Sequence, residues 1–92
     1  MTHREIDRRI ESEIMGHDLK AIKPEQVSHY SVDMNQAMRV VERLHGAGWN
    51  VMINSHEEMK KWVVNLFYND NVRTGAHKSL PRAICLAALD KG

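Results

Sequence analysis

Ninety-two residues hold thirteen Lys and Arg against twelve Asp and Glu, a formal charge of +1, and this balance excludes the strongly basic footprint of a protein built around nucleic acid. A chain of this length makes one domain, 1–92, with one small core. Cys85 is the only cysteine, which excludes an internal disulfide; with no CxxC spacing, no apolar run near ~18 residues and no signal-peptide pattern, a soluble intracellular protein is expected.

Residues 1–16 predict an N-terminal helix. Ile6, Ile10 and Ile14 recur every fourth residue among Arg4, Glu5, Asp7, Arg8, Arg9, Glu11 and Glu13, a narrow apolar stripe on a charged rod. Gly16 ends it. Residues 17–30 read as a connector, broken at Lys23-Pro24 because proline disfavours the α conformation of the residue before it. The body is 31–92. It opens with a helix capped by Asp33, with Gln36 completing a capping box, or alternatively by Ser31. Met34, Ala37, Met38, Val41 and Leu44 share one face of that helix, and Gly46 and Gly48 stop it.

Three strands follow. Trp49–Asn54 and Lys60–Tyr68 alternate with period two. Val72–Lys78 is the third strand, after a turn at Asn69-Asp70-Asn71. Short turns between sequential strands make an antiparallel meander. Ser79-Leu80-Pro81 then starts the last helix, with Ser79 as its cap and proline in the first turn, where its missing N–H costs little. Ala83–Leu89 is apolar, and Cys85 packs within it.

The expected fold is therefore α+β, order α-α-β-β-β-α: a three-layer α-β-α sandwich around a three-stranded antiparallel meander. The second and last helices are expected over Trp49, Val51, Ile53, Trp62, Val64, Leu66 and Tyr68. Val72, Thr74 and Ala76 form the inward set of the third strand. The Ile6, Ile10, Ile14 stripe then either covers Met52, Val63 and Phe67 on the opposite face or joins two copies of the chain.

Little in the pattern points to chemistry. No phosphate-binding glycine loop, dinucleotide fingerprint or HExxH motif is present. The six histidines include no i, i+4 pair, so neither metal nor cofactor is expected. Glu11/Glu13 and Glu57/Glu58 read as solvated, without the burial that raises a carboxyl pKa for acid catalysis. Tyr30, Trp49 and Trp62 read as packing residues. The chain is expected not to be an enzyme. One constellation remains: Arg73, His77, Lys78 and Arg82 around the start of the last helix, a candidate anion site because a helix N-terminus carries free N–H groups and partial positive charge. Pro81 removes one of those donors.

Two segments carry a family likeness. One is YSVDMNQAMRVVERLHGAGWNV (Tyr30–Val51); the other is LPRAICLAAL (Leu80–Leu89). With Ile14-Met15-Gly16 they resemble the phage ABA sandwich domain family, small proteins of tailed phages and prophages. The chain departs from that pattern at His17 and Met38, where the family often has tryptophan. The resemblance implies an α-β-α sandwich, a phage or prophage origin and hence a cytoplasmic location in a bacterial host. It implies no catalytic residue. The expected function is that of an accessory protein binding a host or phage protein, as in host takeover or counter-defence. The alternative is nucleotide or nucleic-acid binding at the basic start of the last helix, since residues 33–91 share the α-β-β-β-α order of double-stranded-RNA-binding domains.

Overall fold

The last apolar run builds the centre of the molecule. In the computed structural model, which describes residues 1–91, Leu80–Leu89 is a helix whose Ala83, Ile84, Cys85, Ala87, Ala88 and Leu89 are all buried. A helix apolar on nearly every side needs cover on every side. Here the cover is the sheet, the middle helix and the first helix.

The elements run in the expected order: helix α1 (His3–Arg9), continued by a wider turn over Ile10–Ile14; a short turn at Pro24–Gln26; α2 (Met34–Gly46); β1 (Asn50–His56); β2 (Lys61–Tyr68); β3 (Asn71–His77); and α3 (Leu80–Leu89). The three strands form an antiparallel sheet in the order β1-β2-β3. Thr2 and Asp33 cap their helices, Thr2 Oγ1 accepting from the Glu5 N–H and Asp33 Oδ1 from those of Asn35 and Gln36. Asp33, not Ser31, is thus the cap of α2. Ser79 holds the cap position of α3 without a side-chain capping bond, contrary to the expected hydroxyl cap. The extended Ile10–Ile14 turn is closed by Met15 N–H donating to Ile10 O, five residues back.

The register corrects one strand. Leu66 pairs with Val51 and Arg73, Val64 with Ile53 and Gly75, and Trp62 with Ser55 and His77. Directly opposed residues share a face, so the helix-facing set of β3 is Arg73, Gly75 and His77, not Val72, Thr74 and Ala76. The cause is the turn. It uses only Asn69 and Asp70, with Asn69 at φ +53 and Tyr68 paired to Asn71. The expected turn included Asn71, and one residue of slip exchanges the two faces. The inward position thereby falls to Gly75, where α3 lies so close that a Cβ would stand 2.3 Å from Ala87 N and 2.4 Å from Ala83 O.

The first helix also takes another place than expected. Ile6 and Ile10 are fully buried in the same core as Tyr30, Ala37, Val40, Leu66 and Ile84. α1 packs on α3 and its continuation on α3 and α2, and neither backbone runs along the sheet. The stripe therefore neither covers Met52, Val63 and Phe67 nor remains free as a surface between copies, although Ile14 is only half-buried. The physical reason is that the buried arc is wider than its isoleucines, because Asp7 and Glu11 are buried beside them. Three helices and a three-stranded sheet still fit the expected sandwich.

Two further residues of the expected core lie at its margin. Ile53 and Tyr68 are 39% and 41% exposed, while Trp49 and Trp62 are half-buried against the core. No helix is long and apolar enough to cross a membrane among the described residues.

Candidate functional site

Buried carboxylates are stable only with donors around them, and two such groups tie α1 to the lead-in of α2. Asp7 accepts from Ser31 N–H (2.8 Å), Ser31 Oγ (2.7 Å) and Arg4 Nη1 (2.9 Å). Glu11 accepts from Tyr30 OH at 2.7 Å and lies 2.7 Å from His17 Nδ1. Arg4 also donates to Pro24 O and Val27 O, fastening the connector to the helix. This corrects the solvated reading of Glu11. The signal available in the sequence was the Tyr30-Ser31 pair, two donors at the start of a helix with no evident acceptor. Burial first, and then the bond to Glu11, push the Tyr30 phenol up to about 12, so this network keeps its proton at neutral pH. Its partners are the chain's own groups, and its role is anchoring.

The four residues expected around the last helix are divided between its two ends. Arg73 and His77 are four residues apart on one strand face, about 13 Å. At the far end Arg73 lies over the Trp49 ring, 4.6 Å from its centroid, and donates to Ala88 O at 3.2 Å, a cation on the carbonyl end of α3. His77, Lys78 and Arg82 do meet at the start of α3, joined by His3. His77 Nδ1 accepts from the Ser79 N–H at 3.0 Å. Arg82 donates to Met1 O at 2.6 Å and lies 3.2 Å from His3 Nδ1, while its buried Nε has no hydrogen-bond partner among the described residues. Burial, then the charges of Arg82, His3 and Lys78, hold His77 below the usual imidazole range. Lys78 is exposed. Among the described residues no three His, Cys, Asp or Glu side chains converge as a metal would need.

The third feature is the outward face of the sheet. Val63 and Phe67 are half-buried there, flanked by Met52 (51% exposed) and Val72 (53% exposed). Asn50, Asn54, Asn65 and Thr74 surround them, and Thr74 Oγ1 donates to Asn65 Oδ1 across the strands at 2.9 Å. The outward positions of the three strands include Lys61 and no acid. The outward face thus has an apolar centre inside a polar rim of amides, one hydroxyl and Lys61.

Comparison with known proteins bears on both fold and origin. The sequence model of the Phage ABA sandwich domain matches residues 8–89. The chain belongs to this family. A crystal structure of a phage protein from Bacillus cereus ATCC 14579 superposes with a TM-score of 0.85 at 28% identity, covering 100% of this chain and 93% of that one. No curated protein matches. In this ABA sandwich, His17 stands beside Glu11 where tryptophan was expected, and Met38 is 39% exposed on α2. The Tyr30-Ser31 lead-in that carries part of the likeness is the segment clamped by Glu11 and Asp7.

Proposed function

We propose that this ABA sandwich protein is a phage accessory factor that acts by binding a host or phage protein through the outward face of its sheet, without catalysis. The observation that carries the reading is that face: Met52, Val63, Phe67 and Val72 lie together, framed mainly by amides, with no helix over them among the described residues. The buried Tyr30 and Ser31 are bonded within the fold as anchors, which leaves the surface to carry the work. Val72→Lys with Ala76→Lys puts two charges on the patch at exposed positions, where substitutions usually change stability by less than ~0.5 kcal/mol. Affinity capture from host extract should recover a specific protein with the wild type and lose it with this variant. Equal recovery with both, or no specific protein with either, overturns the reading.

A second reading, binding of a small anion at the start of α3, is favoured by one observation. His3, His77, Lys78 and Arg82 gather there, and Arg82 keeps a buried donor unpartnered. Inorganic phosphate is then expected to shift the His77 ring resonances, and Lys78→Ala to weaken that response at least ~10-fold, the worth of one charge-assisted bond. Phosphate that leaves His77 unmoved eliminates this reading.

A further inference from the structure

The two edges of the sheet are finished differently. On β3 the outward-pointing N–H of Thr74 donates to the Asp90 carboxylate at 2.9 Å, and Arg73 reaches across to Ala88 O. Asp90 thus occupies the hydrogen-bonding side of that edge at its middle residue. β1 carries none of the devices that keep an edge from pairing. Its residues Asn50–His56, NVMINSH, include no charged side chain and no proline, and its pairing with β2 runs without a bulge.

Apolar side chains are exposed on both faces of this edge. Met52 points outward and is 51% exposed; Ile53 points toward the helices and is nevertheless 39% exposed. Counting back from the Ala47-Gly48 turn at ~1.5 Å per helical residue and ~3.3 Å per strand residue brings Ile53 level with Met34 and Met38 of α2. Met38 is itself 39% exposed. Exposed apolar side chains thus stand at one height on the sheet edge and on α2.

We propose that β1 is the contact through which two copies of this chain associate, antiparallel about a twofold axis at Met52, joining their sheets into one. A second copy is the occupant that this edge fits. Antiparallel pairing keeps inward and outward faces matched only when paired positions sum to an even number. An axis at Met52 opposes Met52 to its copy, Val51 to Ile53 and Asn50 to Asn54, apolar to apolar and amide to amide. With no charge on the strand, nothing repels its copy. Overlap from Trp49 to Ser55 runs ~23 Å, and with a helix layer ~10 Å behind the sheet the two copies bury on the order of 1,000 Å² in all, the lower bound for a specific interface. The dimer is therefore weak and concentration-dependent. Met52 borders the partner-binding face as well, so the two readings are separated by their tests: that one at the β3 positions Val72 and Ala76, this one at the β1 edge.

Sedimentation velocity on the full chain should show a reversible monomer–dimer equilibrium whose dimer fraction rises with protein concentration up to about a millimolar. Met52→Lys, which sets two charges against each other on the axis, should weaken it at least ~10-fold with an unchanged circular dichroism spectrum. Mild oxidation of Met52→Cys should give a covalent dimer, because a residue on the axis meets its own copy, while Val72→Cys should not; native Cys85 is buried and does not compete. A protein that stays monomeric to millimolar concentration overturns the proposal. So does a dimer that survives Met52→Lys, or one that Val72→Cys traps as readily as Met52→Cys.

Discussion

Gly75→Ala is expected to cost more than ~3 kcal/mol, a large share of what a domain of this size has. The substitution adds one methyl group, yet that group would stand 2.3 Å from Ala87 N and 2.4 Å from Ala83 O. Both neighbours are main-chain atoms of α3, so no side chain can rotate away. The helix itself must lift from β3. Overpacking by a methylene or two in a close-packed interior already costs ~1–3 kcal/mol, and here the displaced element is the one that the sheet, α1 and α2 all pack against. A protein of this size has only ~5–10 kcal/mol of stability to lose. Gly46→Ala is the control: nothing lies within 4 Å of its Cβ position, and it should be neutral or stabilise by a few tenths to ~1 kcal/mol. Urea unfolding of the two variants makes the comparison. Equal midpoints would mean that α3 does not sit on Gly75.

Raising the pH from 9 to 11 should remove about 4 kcal/mol of stability. Two buried groups are responsible. Burial, and then the neighbouring Asp7 charge, push the Cys85 thiol from 9.0 up to about 12. Burial and the bond to Glu11 push the Tyr30 phenol from 10.0 up to about 12. In each case the folded state favours the neutral form while the unfolded chain ionises at the ordinary value. The stability is therefore complete below the unfolded value, starts to fall above pH 9 for the thiol and above pH 10 for the phenol, and is exhausted near pH 12. At pH 11 the thiol has lost about two units and the phenol about one, at ~1.4 kcal/mol per unit. A urea midpoint that falls steeply across this window in the wild type, but stays nearly flat in Cys85→Ala with Tyr30→Phe, is the expected result. A wild-type midpoint that is itself flat would contradict the burial of both groups.

The elements were legible because their periods are clean. Val64 and Leu66 alternate out of β2, Ala37 and Leu44 are buried on α2 as expected, though Val40 and not Met38 completes that buried face, and Asp33 caps as its type predicts. What failed was parity and placement. The face of β3 depended on whether Asn71 belonged to the turn, which composition alone does not decide among three consecutive turn-forming residues. The seat of α1 was hidden by Asp7 and Glu11, whose charges mark a solvated face unless their donors are known. Those donors, Ser31 and Tyr30, lie 24 and 19 residues away in the chain. The basic cluster was half legible. Lys78 and Arg82 adjoin the start of α3 by sequence, and His77 follows from the strand. Arg73 shares the face of His77 but stands at the other end of the helix, and His3 arrives from the opposite end of the chain.

The Asp90 carboxylate on Thr74 N–H bears on what the protein avoids becoming. A sheet open at both borders can recruit copies without limit, and repeated addition of that kind leads to fibres. With Asp90 seated on the middle of β3, the proposed association uses β1 alone, and the neighbour offers the same border in return. Growth ends after one step. In the proposed dimer, one carboxylate just beyond the last helix would thus help to set a ceiling on assembly.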